Sequence, residues 1–533
     1  MTQRADIVVA GAGHNSLITA AYLAKAGYSV TVLDARPIPG GGASTEEPLL
    51  PGYKIDTCST GHTLIRVNPL LAKDELGLHS KYGLTYLEPD PVAHVRFPDG
   101  EYITHWLDLD RTCEEISRFS KHDADAYRRM MGEYDEVKSA YAAARNTPPG
   151  TGPSLQELLL KTRHGSKWVR IEAMSSWDVI RHEFEDRHIQ AYMLWQAFQT
   201  VQAVDAPGSG SLAYSLVYGR QQRSWSIPRG GSGKLTDALT AFLEDHGAAV
   251  ICDSKVRRLV LENGRCAGVE TEDGERYIAT RAVVSTIHIK HLIDMAPHDA
   301  WPEEFHFGVE TYDIGISNMG VYLASTEAPK FKTREGTQSA VSAGLAGWPE
   351  DFIRIGRDVK DGRFVAGVTW LLVATPTLAD PSRAPHDHHT VKVLSPQSWQ
   401  LPPGEKNWDT LKERHADYQL DQLRKHAPNF TGDKILARHV NSPDDFELAN
   451  PHMIHGTFHG GDRGLAQSGG LRPVPGWGQY RMPIPGLYQT GGTTHPGGSI
   501  TGAPGRNAAI VVLEDLGTSL EQVLQAPVAG VRR

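Results

Sequence analysis

Cysteine is scarce in this 533-residue chain: Cys58, Cys113, Cys252 and Cys266 lie far apart, with no Cys-x-x-Cys pair. That excludes a disulfide framework or a zinc knuckle as the source of stability, no metal site is expected, and a reducing cytoplasm becomes the expected compartment. Long apolar runs are missing too. No stretch approaches the roughly 18–20 residues a membrane-spanning helix needs, and the expected first strand starts near Asp6, so no cleavable leader is expected. There is no basic excess: Lys plus Arg number 54 against 63 Asp plus Glu, a formal charge of −9. This argues against nucleic acid as a main partner, because phosphate backbones call for a basic face. Internal repeats and low-complexity tracts are absent. The chain is long enough for two or three domains with sizeable cores.

What is present begins at the amino end. Ile7-Val8-Val9-Ala10 reads as a short buried parallel strand, Gly11-Ala12-Gly13 as a tight turn, and Leu17 to Ala26 as a helix ended by Gly27. Ser29 to Leu33 reads as a second strand, with Asp34 at its end, 21 residues past Gly13. Strand, glycine turn, helix, strand and acid make up the dinucleotide-binding unit. Gly11 permits the turn, and Gly13 lets the backbone approach a pyrophosphate. The helix start offers N–H groups and the positive end of its dipole, and Asp34 can accept hydrogen bonds from a ribose diol. Ser16 stands where a third glycine is usual; it is small enough for helix–strand packing and is a candidate helix cap. The plainer alternative is an α/β unit with no ligand.

NAD and FAD share this unit, and two further glycine-rich segments favour FAD. Gly40-Gly41-Gly42-Ala43-Ser44 follows Asp34 within one loop, where bare backbone can run beside an extended cofactor. Near the other end, "GLYQTGGTTHPGGSITGAPGRNAAIVVLEDLG" (486–517) reads as a strand, a Gly491-Gly492 turn and a loop entering a helix. The N-terminus of that helix can face the anionic edge of a reduced flavin. A plain glycine-rich loop is the alternative.

"GAGHNSL" (11–17), "PGGGAST" (39–45), "IPRGGSGKLTDAL" (227–239) and "YRMPIPGLYQTGGTTHPGGSITGAPGRNAA" (480–509) are carried by a known family, as are "DPVAHVRFPDG" (90–100) and "DPSRAP" (380–385). The chain resembles the phytoene desaturase-related flavoproteins within the wider FAD-dependent amine oxidase-like group, with its nearest likeness among desaturase-type β-carotene ketolases and their bacterial relatives. Ser16 and His62 depart from the family pattern. The resemblance implies an α/β fold: a Rossmann-type FAD-binding domain interleaved with an α+β substrate domain. Carried over, the FAD contacts fall on Gly11, Gly13, Asp34, Ala35, Gly41, Gly42, Ala43, Val256, Gly492 and Ile500. His62 and His495 are candidates for the substrate pocket, and no catalytic base is nominated.

The nucleotide domain is expected in three pieces, 1–75, 226–300 and 440–533, with 76–225 and 301–439 forming the substrate domain. Residues 248–287 alternate apolar and polar around turns at Asn263-Gly264 and Asp273-Gly274, a β-meander. Over 168–202, Trp168, Ile171, Trp177, Ile180, Phe184, Ile189, Met193 and Phe198 recur at helical spacing. Such a stripe fits core packing, with peripheral contact at the inner face of a membrane as its alternative. "HDHH" (386–389) lies in a Pro-rich loop, and His452, His455 and His459 lie among glycines that break a helix, so neither is taken as a metal site.

Functionally the resemblance implies an FAD-dependent oxidoreductase that takes hydride from an organic, apolar, isoprenoid or carotenoid-like substrate, by desaturation or ketolation. No second Gly-x-Gly-x-x-Gly unit appears, so electrons are expected to leave to oxygen or a quinone through the same cavity. One alternative is oxidation of an amine, alcohol or other small metabolite. Another is a carrier without redox activity, like the Rab GDP-dissociation inhibitors, against which intact Gly491-Gly492 and "THPGGSITG" argue.

Overall fold

Residues 2–367 and 370–526 are described by the structure, a computed structural model. Ile7, Val8, Val9 and Ala10 are all buried, as an apolar run inside a parallel sheet must be. Their strand, Thr2–Ala10, lies between Val30–Leu33 and Arg276–Ser285 and runs parallel to both. Ala249–Ile251 and Leu487–Gln489 extend the parallel set on its two sides. Val256–Glu262 and Arg265–Thr271 add antiparallel strands beside Arg276–Ser285. The expected meander therefore holds three strands, because Ala249–Ile251 leaves it to pair with Val30–Leu33. Asn263 and Gly264, with φ of 51° and 75°, make the tight turn their sequence signals.

The first helix is His14–Lys25 rather than Leu17–Ala26, because the extended Gly13 already serves as its N-cap. Gly27 follows with φ of 92°. Every residue from Asn15 to Ala24 is buried, more than one apolar stripe would cover. Two helices account for this: Ala503–Asp515 packs on one side and Gly233–Asp245 on the other. The crossing with Ala503–Asp515 is close enough that a Cβ at Gly505 would stand 2.3 Å from the Asn15 carbonyl oxygen. Thr19 Oγ1 donates to the Gly505 carbonyl at 2.8 Å, so the amino and carboxyl ends of the chain are joined beneath the glycine turn.

A second seven-stranded sheet runs Ile435–Asn441, Ser317–Ser325, His389–Gln397, Trp370–Ala374, Ser342–Ala346, Ala93–Arg96, Tyr102–His105. All its pairings are antiparallel except Ser342–Ala346 with Ala93–Arg96. The two-residue period of a strand sorts its side chains. Leu371, Val373, Val391 and Val393 pack under the helix Trp408–His426, while Trp370, Leu372 and Leu394 face the other way, toward the helices of the 121–223 region. The first sheet thus draws its strands from 2–33, 249–285 and 487–489, and the second from 93–105 and 317–441.

The stripe over 168–202 forms three helices, Gly165–Ala173, Ser176–Glu183 and Arg187–Ala197, cut where Ser175 and Asp186 cap the next helix. Trp168, Ile171, Ile180, Phe184, Ile189, Met193 and Phe198 are buried in the core and Trp177 packs at its edge. Among the described residues no helix is long and apolar enough to cross a membrane. All four cysteines are free.

Candidate active site

The glycine turn is drawn tight by its own backbone. Gly11 N–H donates to the Leu33 carbonyl at 2.7 Å, and Gly40 N–H to the Ala12 carbonyl at 2.7 Å. With φ of 100°, Gly11 occupies backbone space that side chains rarely adopt, and a Cβ there would lie 2.4 Å from Thr286 Cγ2. Ser16 does not cap the helix; its hydroxyl donates to the carbonyls of Gly11 and Gly13 at 2.5 and 2.9 Å. The N-cap makes no side-chain bond, so the first-turn N–H groups stay available to an anion.

Asp34 does more than wait for a ribose. One of its oxygens accepts from Ala12 N–H at 2.5 Å and the other from Arg36 N–H at 2.8 Å, tying the end of the second strand to the turn. Burial pushes its carboxyl upward, against the pull of those two N–H bonds. Arg36 in turn donates to the Gly41 carbonyl at 3.0 Å and pairs with Glu46 at 2.8 Å, which lays the Gly40–Gly42 loop across the turn. Gly41 comes so close that a Cβ on it would sit 3.3 Å from Gly13 Cα.

The carboxyl-terminal glycine segment arrives from the opposite side. Thr490 N–H bonds to the Ser285 carbonyl at 2.8 Å, and a Cβ at Gly491 would lie 2.4 Å from Thr286 Oγ1. Both glycine segments therefore close on the same threonine. The loop between Gly491 and the Ala503–Asp515 helix is held by Arg472, which sequence reading missed because nothing local marks it. Its guanidinium is almost wholly buried and donates to backbone carbonyls alone: Gly492 at 2.6 Å, Asp462 at 2.6 Å and Gly460 at 3.1 Å among them.

Several of the motifs prove to be wired together. Asp56, at the end of "YKID", accepts from Thr45 Oγ1 at 2.7 Å and from Ser232 N–H at 2.9 Å. Thr45 accepts in turn from Gly233 N–H at 2.9 Å. From "DPSRAP", Asp380 accepts from Gly230 N–H at 2.6 Å, and Arg383 pairs with Asp56 at 2.8 Å, both side chains wholly buried. Lys392 completes the set. Its Nζ donates to the carbonyls of Asp56 and Cys58 and to Thr60 Oγ1 at 3.0, 2.6 and 2.8 Å. Burial pushes the Asp56 carboxyl up, but Arg383 and Lys392 outweigh that and hold it below the ordinary value. Burial lowers Lys392 to about 8, with Asp56 opposing. Removing Arg383 strands a buried carboxylate, so Arg383→Met is expected to lose about 3–5 kcal/mol in urea unfolding. The double variant with Asp56→Asn should lose clearly less than the two single losses added; additive losses would show that the pair is not coupled.

These elements border one cavity of about 550 Å³. Gly11, Gly13, Asp34, Ala35, Gly41, Gly42, Val256, Gly492 and Ile500 lie on its wall. Ala43 lies behind it, fully buried, with its carbonyl accepting from Thr236. His62 is also outside the wall: its ring bonds Tyr86 at 3.2 Å and Ser232 at 2.6 Å, while its neighbours Gly61 and Thr63 reach the cavity. His495 turns away as well, bonding the Ala144 carbonyl at 3.0 Å. Five histidines that sequence reading did not place there do line it: His14, His288, His291, His452 and His459. Burial lowers His14 and His452 to about 4 and His459 to about 3. In "HDHH", His386 pairs with Asp387, His388 with Tyr53 and His389 with Thr377, each with a separate partner.

The residues fit a flavin dinucleotide on two counts. Only glycine leaves backbone bare where the two loops face the cavity at positions 13, 41 and 42. Buried polar atoms on the same wall, His14 Nε2, Asn15 Oδ1, His288 Nε2 and His459 Nδ1, have no partner among the described residues. Beyond the glycines the wall changes character, to Leu216, Trp225, Trp370, Leu372 and Leu394.

Comparison with known proteins agrees with this geometry. The family model described as flavin containing amine oxidoreductase matches residues 17–311, more than half the chain. A limonene dehydrogenase chain from Castellaniella defragrans is 26% identical over 537 residues, covering 97% of this chain and 96% of its own. The lycopene-forming phytoene desaturase of a Paracoccus species is 26% identical, covering 96% of this chain and 98% of its own. Among solved structures, putrescine oxidase bound to putrescine superposes with a TM-score of 0.61 at 15% identity, over 97% of this chain and 99% of that one; this likeness is one of fold.

Proposed function

As a member of the flavin containing amine oxidoreductase family, this chain is an FAD-dependent oxidoreductase, and we propose that it oxidises an apolar, isoprenoid-like substrate by desaturation or ketolation. One observation carries the reading: a single cavity runs from Asp34 and Val256, past the facing glycine segments, to a wall of tryptophan and leucine side chains. The two relatives named for limonene and for lycopene formation support the same substrate class.

Accepting hydride from a C–H bond is the chemistry FAD supplies when bound. The protein's share is holding and shielding. The Gly11–Gly13 turn and the start of the His14–Lys25 helix would receive the pyrophosphate, Asp34 a ribose, and the backbone at Val256 the adenine. Gly492 and Ile500, on the cavity wall ahead of the Ala503–Asp515 helix, would hold the redox end of the cofactor. Lys392 holds its proton at Nζ at neutral pH and keeps the Asp56–Thr60 segment against the cavity. Leu216, Trp225, Trp370, Leu372 and Leu394 exclude water and orient the C–H bond. An acceptor such as oxygen or a quinone would have to reach the cofactor through the same cavity.

The experiment is anaerobic bleaching of the protein's yellow absorbance by a panel of carotenoids, monoterpenes, amines and alcohols. Bleaching by an apolar isoprenoid is expected. Bleaching by amines alone would transfer the site to the amine oxidases. A colourless protein that cannot be loaded with FAD would favour a carrier.

A further inference from the structure

Among the described residues, the apolar arm of the cavity holds a cation with no counterion. Arg220, on the helix Leu212–Arg223, is 4% exposed and reaches the cavity wall. Its two terminal nitrogens donate to the amide oxygens of Gln196 and Gln199, and its Nε has no partner. The other groups that face it are Tyr192 and His105. Both are neutral: burial lifts the Tyr192 hydroxyl far above its ordinary range and drives His105 down to about 3. Arg220 itself is lowered by burial only to about 10, so it stays charged at neutral pH.

The acids on the cavity wall are at the nucleotide end. Asp34 closes the second strand, and Asp294 sits in the turn packed against Val256–Glu262. The arm's other ion, Lys392, is also a cation. Beside Arg220, the Gln199 Nε2 is a buried donor with no acceptor, and it too reaches the wall. A buried guanidinium facing only neutral amides is expensive to keep. Its fork of donors matches a carboxylate in shape as well as sign.

The geometry points to a substrate that carries a carboxylate, taken by Arg220 and Gln199, with its apolar body along Trp225, Trp370 and Leu372. This rests on the reading of the site as an oxidoreductase of apolar molecules, and it narrows that class to acids. An ammonium group would meet two cations and no acid, which disfavours amine substrates.

The test uses the flavin-loaded protein and three probes sharing one ten-carbon skeleton: geranic acid, geraniol and geranylamine, titrated by calorimetry at neutral pH. Geranic acid should bind roughly tenfold or more tightly than geraniol, and geranylamine more weakly than either. Arg220→Gln should bring the acid down to the level of the alcohol while leaving the alcohol within about threefold, and Arg220→Lys should restore part of the preference. If Arg220→Gln does not fold, Gln199→Leu supplies the same comparison with a smaller loss. Equal binding of acid and alcohol, no binding of any probe, or a preference that survives Arg220→Gln would each overturn the assignment. Bleaching by a neutral isoprenoid without any acid preference would sink the carboxylate and leave the redox reading standing. Acid preference with no bleaching by any panel member would do the reverse.

Discussion

Gly13→Val should yield a folded protein that no longer holds flavin. Gly13 has an extended backbone, φ −69° and ψ 159°, which valine adopts without strain. The nearest atom to a Cβ there is Ser16 Oγ, at 3.9 Å, so the added group enters open cavity rather than the core. It stands over the first-turn N–H groups of the His14–Lys25 helix and keeps a pyrophosphate from reaching them. Losing two charge-assisted hydrogen bonds at about 1.5–3 kcal/mol each removes roughly 3–6 kcal/mol, a weakening of about 10²–10⁴-fold in FAD affinity. Fluorescence titration with FAD reads the affinity, and circular dichroism reads the fold. Gly11→Val is the contrasting control. Its Cβ collides with Thr286 at a φ of 100°, so the fold itself should suffer. Full flavin loading of Gly13→Val would place the pyrophosphate elsewhere.

The second large effect is acid lability. His62, His94, His105 and His459 are pushed down to about 3 by burial, and His14, His452 and His495 to about 4. Their folded values lie below the unfolded value of 6.5, so between the two the unfolded chain binds more protons. Stability is fully present above pH 6.5 and is lost as the pH falls toward 4. Taking one histidine from 6.5 to about 4 is worth roughly 3 kcal/mol at full charge. A handful of such residues exceeds the entire 5–15 kcal/mol of a typical fold. The purified protein should therefore unfold cooperatively near pH 5, followed by circular dichroism. A native spectrum retained at pH 4 would mean that water or a carboxylate reaches these rings.

How much of this was legible in the chain depends on how far apart the partners lie. The strand–turn–helix–strand–acid unit around Gly11, Gly13 and Asp34 could be read directly, because each part constrains its neighbours through backbone sterics and short hydrogen bonds. The carboxyl-terminal glycine segment could be read for the same reason. Period alone likewise marked the 168–202 stripe, although not its division into three helices. The histidines were harder. A histidine next to a motif reads as a pocket residue, yet His62 spends both ring nitrogens on Tyr86 and Ser232, while His288, which carries no motif, and His452, weighed only as a metal ligand, reach the wall.

By itself, then, the order of residues determined the nucleotide unit, the cofactor class and the alternation that sorts each strand into two faces. These are local properties, settled within one turn or one strand. The tertiary structure alone decided that Arg383 meets Asp56, that Arg472 clasps the Gly492 loop and that Arg220 meets no acid. Each of those is a question of charge and burial between segments from separate sheets and helices, and in water the same side chains would be solvated and indifferent to one another. Only where the chain path removes water does the identity of the partner, or its absence, become energetically decisive.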